Sequence, residues 1–349
     1  MLTIKRYTIH SGNLKNLRIL EENLAPPAKG EVQIDVRAIG LNFADVFAIW
    51  GLYKAAPKAE FTPGLEYAGV ITAVGESVNE FIPGDRIMGV TRFGGYATGL
   101  NIDARYIIRL QEDWDFNTGA AYLVQTLTAY YALSNLGQLI KGQNVLIHSI
   151  AGGVGLQALK IAKALGCFVI GTVGDAQKKE LAMLNDCDRV LVRTASFEQD
   201  LIEALDGRPL HLTVDTVGGR YFSIPFRHLA PMGRIIVVGS SRYSSVGNRP
   251  NLFHLLRHYL TRPKIDPQNL PNQNKSIMGF NLIYLYENAV LFHQLLKEIS
   301  GLNLAKPHVG HVFPFDQMKE AITLFQSGKT MGKLVIKVGG HLFNNPILP

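Results

Sequence analysis

Val145-Leu146-Ile147-His148-Ser149-Ile150-Ala151-Gly152-Gly153-Val154-Gly155 is the stretch that decides how this chain folds. A strand-forming apolar run enters a turn of small residues, and an amphipathic segment follows over 154–165. In that segment Val154, Ala158, Ile161, Ala162 and Leu165 share one face while Lys160 and Lys163 lie off it, the pattern of a helix with one buried side. Gly166 is a natural stop. Strand, glycine turn and helix in this order make a cradle for the pyrophosphate of a dinucleotide. Backbone N–H groups approach the phosphates, and the helix N-terminus adds unpaired donors and a partial positive charge. Gly152 lets the phosphates come close, Gly153 and Val154 complete the turn, and Gly155 lets the helix pack on the sheet. The one departure from the G-x-G-x-x-G pattern is Ile150, at its first position.

Short, almost continuously apolar strands continue the pattern at 167–172, Arg189-Val190-Leu191-Val192, Leu212-Thr213-Val214-Asp215 and 234–238, with helical stretches between them. They predict a parallel sheet covered on both faces, with a last strand over 277–283. An acidic residue about 20 positions after the glycine turn would bind a ribose 2′-hydroxyl. Thr172 stands there instead and carries no charge to repel a 2′-phosphate. Lys178, Lys179 and Arg193 follow, so NADPH is the predicted cofactor. The lysines also read as a solvated helix face, and Asp175 would serve a plain ribose if its loop folded back. Gly239, Ser240 and Ser241 end the fifth strand, where ligands meet this kind of sheet.

The first third of the chain reads as β. Apolar and polar residues alternate over 31–38, a half-buried strand with Gln33, Asp35 and Arg37 outward. Turn signals recur at Thr62-Pro63-Gly64, Ile82-Pro83-Gly84-Asp85 and Phe93-Gly94-Gly95, the punctuation of a small barrel or sandwich. The segment 240–274, rich in Pro, Asn and Arg, reads as irregular.

The 349 residues suffice for two domains, and 47% hydrophobic with 18% charged residues is an ordinary globular composition. No apolar run is long enough to span a bilayer and no secretory signal is recognised, so a cytoplasmic location is expected. Two cysteines, Cys167 and Cys187, exclude a four-cysteine zinc lobe. The net charge of +7 comes without any block of like charges, which suits an anionic cofactor better than nucleic acid.

The chain resembles the medium-chain dehydrogenase/reductase superfamily over nearly its whole length. Gly40-Leu41-Asn42-Phe43-Ala44-Asp45, Pro63-Gly64-Leu65-Glu66-Tyr67-Ala68-Gly69, Pro83-Gly84-Asp85-Arg86-Ile87 and Phe93-Gly94-Gly95-Tyr96-Ala97 are similar to its zinc-free quinone oxidoreductase branch. Met278-Gly279-Phe280-Asn281-Leu282 and Lys306-Pro307-His308 resemble the subgroup related to the vesicle amine transport protein. The resemblance implies an α/β chain: a GroES-like β-barrel domain (1–122 and 286–349) plus a Rossmann doubly wound parallel sheet (123–285) that holds NADPH. Zinc-dependent relatives carry Cys at the position of Asn42 and His at that of Leu65, so no zinc is expected; Glu66 alone is not a site.

The implied activity is hydride transfer from NADPH to a quinone or other α,β-unsaturated carbonyl. Asn42 would donate an amide N–H to substrate or nicotinamide, or else cap a helix. Tyr53 would donate a hydrogen bond and a proton, or else pack in a loop. Thr128 would pass beside the nicotinamide and Lys333 would reach the cofactor, unless it is a surface lysine. Phe280, with Trp50 and Phe93, would wall an aromatic pocket. A homodimer through the last sheet strand is expected by analogy. The alternative is an NADPH-binding lipid- or vesicle-associated adaptor with weak catalysis, suggested by the basic, aromatic-bearing segment 242–264.

Overall fold

The computed structural model describes residues 2–339; the expected barrel limits at 1 and 349 lie outside the described residues. The chain opens with an antiparallel ribbon, β1 (Leu2–Thr8) and β2 (Arg18–Leu24). Then come β3 (Glu31–Gly40), β4 (Glu66–Val74), β5 (Arg86–Val90), β6 (Gly99–Asp103) and β7 (Ile107–Arg109). The middle holds β8 (Asn144–Ile147), β9 (Phe168–Val173), β10 (Arg189–Val192), β11 (Leu210–Asp215), β12 (Leu229–Val237) and β13 (Ser276–Gly279). β14 (Val309–Pro314) and β15 (Lys333–Lys337) end the described chain.

The middle six strands form one sheet in the order β10-β9-β8-β11-β12-β13, with every neighbouring pair parallel. The winding reverses between β8 and β11, the crevice where doubly wound sheets take their ligands. Val145 and Ile147 enter the core on one face, Leu146 and Ile170 on the other. Burial on both faces explains why these strands read as unbroken apolar runs rather than alternating ones.

The remaining strands make a second sheet, β14-β15-β3-β4-β5-β7, with β6 added on β3. β3 pairs with β4 along its length, with β6 through Glu31–Asp35 and with β15 near Gly40. One long strand with three neighbours bends the sheet into a small barrel, so residues from both halves of the chain build it. This corrects the expectation for 31–38. Gln33 and Asp35 are buried rather than outward, because the strand is covered on both sides. Asp35 meets Arg37 at 2.7 Å, and Gln33 Nε2 donates to the Ala25 carbonyl at 3.0 Å.

Two further expectations change. The last parallel strand stops at Gly279 and a 3-10 turn, Leu282–Glu287, replaces its second half. The chain leaves the sheet there to bring Asn281 to the barrel, where its Oδ1 accepts from the Tyr53 hydroxyl at 2.7 Å. The segment 240–274 is not irregular throughout: Leu252–Leu260 is a helix, capped by Asn251 accepting from His254 N–H at 3.0 Å. None of its residues is buried; Leu252 is 74% and Phe253 78% exposed.

Candidate active site

The glycine turn after β8 is shaped by what glycine lacks. Ser149 adopts a left-handed conformation (φ 53°), and the helix Gly153–Ala164 starts four residues later. A Cβ on Gly155 would lie 2.3 Å from the Ser149 carbonyl oxygen and 2.7 Å from Ile150 Cα, so the helix can begin this close to the turn only with glycine there. A Cβ on Gly152 would meet nothing nearer than the Ser149 oxygen at 3.3 Å. The backbone is bare on that side, which fits a phosphate. Val154 is half-buried against the sheet core. Ile150, the departure from consensus, is compensated next door. A Cβ on Gly171 in β9 would fall 2.7 Å from Ile150 Cγ1 and Cγ2, so a missing glycine in the turn is matched by one in the neighbouring strand.

The cation site is rearranged relative to expectation. Thr172 is fully buried, so its side chain does not face a ligand. Its hydroxyl lies 2.8 Å from His148 Nδ1 and accepts from Arg193 Nη1 at 3.0 Å. Thr172 therefore orients Arg193, whose guanidinium also lies over the Tyr221 ring at 5.8 Å. The Lys178 ammonium turns to carbonyls, donating to Thr330 O at 2.8 Å and to Gly328 O. Burial, then the nearby Arg193 charge, lowers its pKa. Asp175 is spent as a cap, accepting from Gln177 N–H at 3.0 Å. Arg193 thus stands as the main candidate for an anion at the end of β10.

His148, which carries no signal of its own in the sequence beyond its place at the strand end, anchors this corner. Its Nε2 lies 2.7 Å from the Tyr221 carbonyl oxygen, which can only accept, so Nε2 carries the proton and Nδ1 takes the Thr172 hydroxyl proton. Burial, reinforced by Arg193, lowers its pKa from 6.5 to about 3. Between those values the unfolded chain binds a proton that the folded chain refuses. Stability is therefore lost as pH falls through that window, by about 1.4 kcal/mol per pH unit from this residue. His148→Gln is expected to flatten that acid limb in urea unfolding followed from pH 7 to pH 4.

Across the crevice, the barrel presents a buried polar hub. Lys333, only 3% exposed, forms an ion pair with Glu66 Oε1 and donates to Asn42 Oδ1 at 3.0 Å. Asn42 Nδ2 donates to Glu66 Oε1 at 3.0 Å, and Gln125 Nε2 donates to the same oxygen at 3.0 Å and to Asn42 Oδ1 at 3.2 Å. Val124 N–H supplies the other carboxylate oxygen at 3.0 Å. Two expectations are corrected here. Lys333 is not a surface lysine: it is buried, and two of its three N–H groups go to Glu66 and Asn42. Asn42 has its amide oxygen and nitrogen committed inside the hub and has no spare donor for a substrate. Its backbone opens the helix Phe43–Ile49, where Asp45 accepts from its N–H at 2.8 Å. Burial pushes Asp45 up to about 7, against the pull of that N–H and of the Tyr96 hydroxyl.

Tyr53 lies at the joint between barrel and parallel sheet, but its proton points at Asn281 and burial raises its pKa to about 12. It positions a loop more readily than it gives up a proton. Thr128 donates to the Val124 carbonyl at 2.7 Å, leaving its oxygen as an acceptor only. Phe280 packs on Tyr131, ring centroids 4.8 Å apart. Gly239 and Ser240 line a cleft of about 210 Å³ with Asp215, Gly218, Gly219 and Arg242, and Ser241 N–H donates to Thr216 O at 2.9 Å. The two halves of the site touch through the backbone: Gly332 N–H donates to Ala151 O at 2.8 Å, one residue from Lys333.

No group of three or more His, Cys, Asp or Glu side chains able to hold a metal occurs among the described residues. The donor set around Glu66 is two amides and an ammonium, and the positive charge on this carboxylate is that of Lys333. No helix among the described residues is long and apolar enough to cross a membrane.

Comparison with known proteins gives two family matches. Residues 28–112 match the alcohol dehydrogenase GroES-like domain and 153–290 match the zinc-binding dehydrogenase family. The synaptic vesicle membrane protein VAT-1 homolog of Homo sapiens is 30% identical over 333 residues, covering 94% of this chain and 84% of that protein. Among solved structures, the Escherichia coli quinone oxidoreductase complexed with NADPH matches with a TM-score of 0.82 and 26% identity, covering 95% of this chain and 99% of the other. CurK enoyl reductase matches with a TM-score of 0.83 and 25% identity, covering 96% and 99%.

Proposed function

The chain belongs to the medium-chain dehydrogenase/reductase superfamily, and on that premise we propose that it is a metal-independent, NADPH-dependent reductase of quinones or other α,β-unsaturated carbonyls. The observation that carries this reading is the abutment of the bare glycine turn on the Lys333–Glu66 hub. A dinucleotide cradle meets, at the same joint, a barrel whose buried carboxylate is neutralised by an ammonium. Bound NADPH supplies the hydride. The residues of the chain do the rest: the turn holds the pyrophosphate, Arg193 meets the 2′-phosphate, and the apolar surroundings of Tyr53 and Phe280 keep the acceptor dry. A quinone or enone is electrophilic enough to need no metal.

The reading is tested by mixing the protein with NADPH and a panel of quinones and enones and following loss of the reduced-nicotinamide absorbance. No turnover on any of them, with NADPH bound, defeats the reductase assignment. For the cofactor, Arg193→Ala is expected to weaken NADPH by about 10–100-fold, the worth of a charge-assisted hydrogen bond, and NADH hardly at all. Equal effects in titration calorimetry remove Arg193 from the 2′-phosphate. Lys178→Ala should show the same preference to a smaller degree, since the carbonyls at 328 and 330 compete for its ammonium.

A second reading, association with anionic lipid, draws on one observation. The helix Leu252–Leu260 leaves Leu252, Phe253, Leu256, Tyr259 and Leu260 exposed, beside the exposed Arg249, Arg257, Arg262 and Lys264. Absence of co-sedimentation with anionic vesicles at low salt defeats it. We also propose a homodimer through the outer edge of β13, whose other edge pairs with β12. A solution mass of one chain, 38.5 kDa, would count against that.

A further inference from the structure

We infer that Arg242 and His258 form a pH-sensitive clasp on a strap, residues 244–250, that bridges the parallel sheet and the barrel. The strap leaves the carboxyl end of β12, where Ser241 N–H donates to Thr216 O at 2.9 Å and Arg242 N–H to Val217 O at 3.3 Å. By residue 247 it has reached the barrel. Gly247 N–H donates to Gln326 Oε1 at 3.0 Å, and Leu14 N–H donates to Asn248 O at 2.8 Å. The helix Leu252–Leu260 then doubles back onto the turn the chain has left. His254 Nε2 lies 2.8 Å from the Arg242 carbonyl oxygen, and the Tyr243 hydroxyl donates to His258 O at 3.3 Å. The Arg242 guanidinium closes the loop. It donates to His258 Nδ1 from Nη2 at 2.7 Å and from Nε at 3.1 Å, and to Thr261 Oγ1 at 2.8 Å. No residue of this helix is buried, and so short a helix is marginal by itself. Polar contacts with the turn therefore hold it in place.

A guanidinium only donates, so His258 Nδ1 carries a lone pair and Nε2 the proton. A second proton has only Nδ1 to occupy. There it displaces the guanidinium and sets two like charges in contact. Arg242 and Tyr243 face His258 from the turn, and His254 and Arg257 from its own helix, with the His254 ring centroid 4.2 Å away. No carboxylate is among these groups; the buried Asp215 answers Arg242 instead. Burial, then the charges of Arg242, His254 and Arg257, lowers the His258 pKa. In the open form His258 keeps an ordinary value near 6.5 and binds more protons than in the closed form. The closed form is thus fully favoured above that pH. It loses up to about tenfold in population ratio per pH unit below it, until the lowered value is reached. Arg242 is also a cover. A Cβ on Gly219 would lie 2.1 Å from its Nη1, and one on Gly218 3.2 Å from its Cδ. Opening bares these glycines beside Gly239 and Ser240, so a ligand of the crevice leaves more readily at acid pH. That last step rests on the crevice being the NADPH site.

The experiment is hydrogen exchange of the full, ligand-free chain at about pH 7.5 and about pH 5.5, corrected for the intrinsic pH dependence of exchange. Wild type, His258→Asn and Arg242→Met are compared. The Asn side-chain oxygen keeps an acceptor near the place of Nδ1 and does not titrate. Over residues 247–260 the wild type is expected to lose about 3–10-fold in protection at the lower pH. His258→Asn should hold its protection, and Arg242→Met should lack it at both values. Unchanged wild-type protection overturns the clasp. So does an equal loss in His258→Asn, which would place the titration elsewhere, or an Arg242→Met variant as protected as wild type. NADPH release, followed by stopped-flow fluorescence, should quicken at the lower pH more in wild type than in His258→Asn; equal quickening overturns control of the crevice by the clasp. Protein that binds no NADPH at either pH overturns the cofactor assignment, while the exchange result still decides the clasp.

Discussion

Lys333→Met is expected to destabilise the folded protein by about 3–5 kcal/mol, the cost of leaving one member of a buried ion pair without the other. The size follows from how completely Glu66 is withdrawn from water. Both side chains are under 5% exposed, and the carboxylate has two amide donors and a backbone N–H besides the ammonium. Those neutral donors cannot balance a full charge in a dry site. Glu66 is then left as a buried carboxylate without its counter-charge. Burial already lowers the Lys333 pKa, with Glu66 as the opposing influence, so the pair persists because each member answers the other. The double variant Glu66→Gln with Lys333→Met removes both charges. It should recover much of the loss, as replacement of buried pairs by neutral groups often does. Denaturant unfolding of the four proteins checks this; additive losses would contradict the pair.

Gly155→Val is expected to abolish tight cofactor binding and to cost stability as well. The clash begins at Cβ, 2.3 Å from the Ser149 carbonyl oxygen and 2.7 Å from the Ile150 carbonyl oxygen. Both neighbours are backbone and cannot swing aside as a side chain would. Relief requires the helix Gly153–Ala164 to shift on the sheet, at about 1–3 kcal/mol or more for overpacking. That shift carries the donors of the turn with it. NADPH affinity should fall by at least about 100-fold, since the loss compounds strain with misdirected N–H groups. Calorimetric titration measures the affinity, and circular dichroism checks that the sheet persists. Affinity within threefold of wild type would mean that the turn does not hold the pyrophosphate.

The parts of this molecule legible in its sequence are those set by local rules. The turn at 149–155, the helix after it and the first four parallel strands depend on residues a few positions apart, and the structure has them within a residue or two of expectation; the fifth strand begins earlier, at Leu229, and the last ends earlier, at Gly279. Thr172, Lys178 and Arg193 do cluster near the end of β9 and β10, as the strand–turn spacing implies. What spacing does not carry is the destination of each side chain. The hydroxyl of Thr172 is turned inward by His148, a buried residue in an apolar strand that offers no separate signal. Lys178 meets carbonyls 150 and 152 residues away. Glu66 and Lys333 stand 267 residues apart, so a carboxylate that looks isolated in sequence is the centre of the hub. β3 misleads for a related reason: alternation predicts one wet face, and only contacts from distant segments, the Ala25 carbonyl and Asn101 on Gln33, show that both are covered, while closure of the barrel by β15 seals its far end at 38–40.

That closure has a consequence for the order of events during synthesis. Glu66 leaves the ribosome long before Lys333. At about 5–20 residues per second, the carboxylate waits on the order of ten to fifty seconds for its counter-charge, while the edge of β3 that β15 will cover stays open. The parallel sheet, built from 144–279, is complete only near the end of that interval, 54 residues before Lys333, and for about three to ten seconds it can form as a unit ahead of the barrel. The nascent protein therefore passes through a stage in which the cofactor-binding half is finished and the other half is a barrel missing a stave. NADPH in the cell can engage the first half at that stage, before the second is sealed.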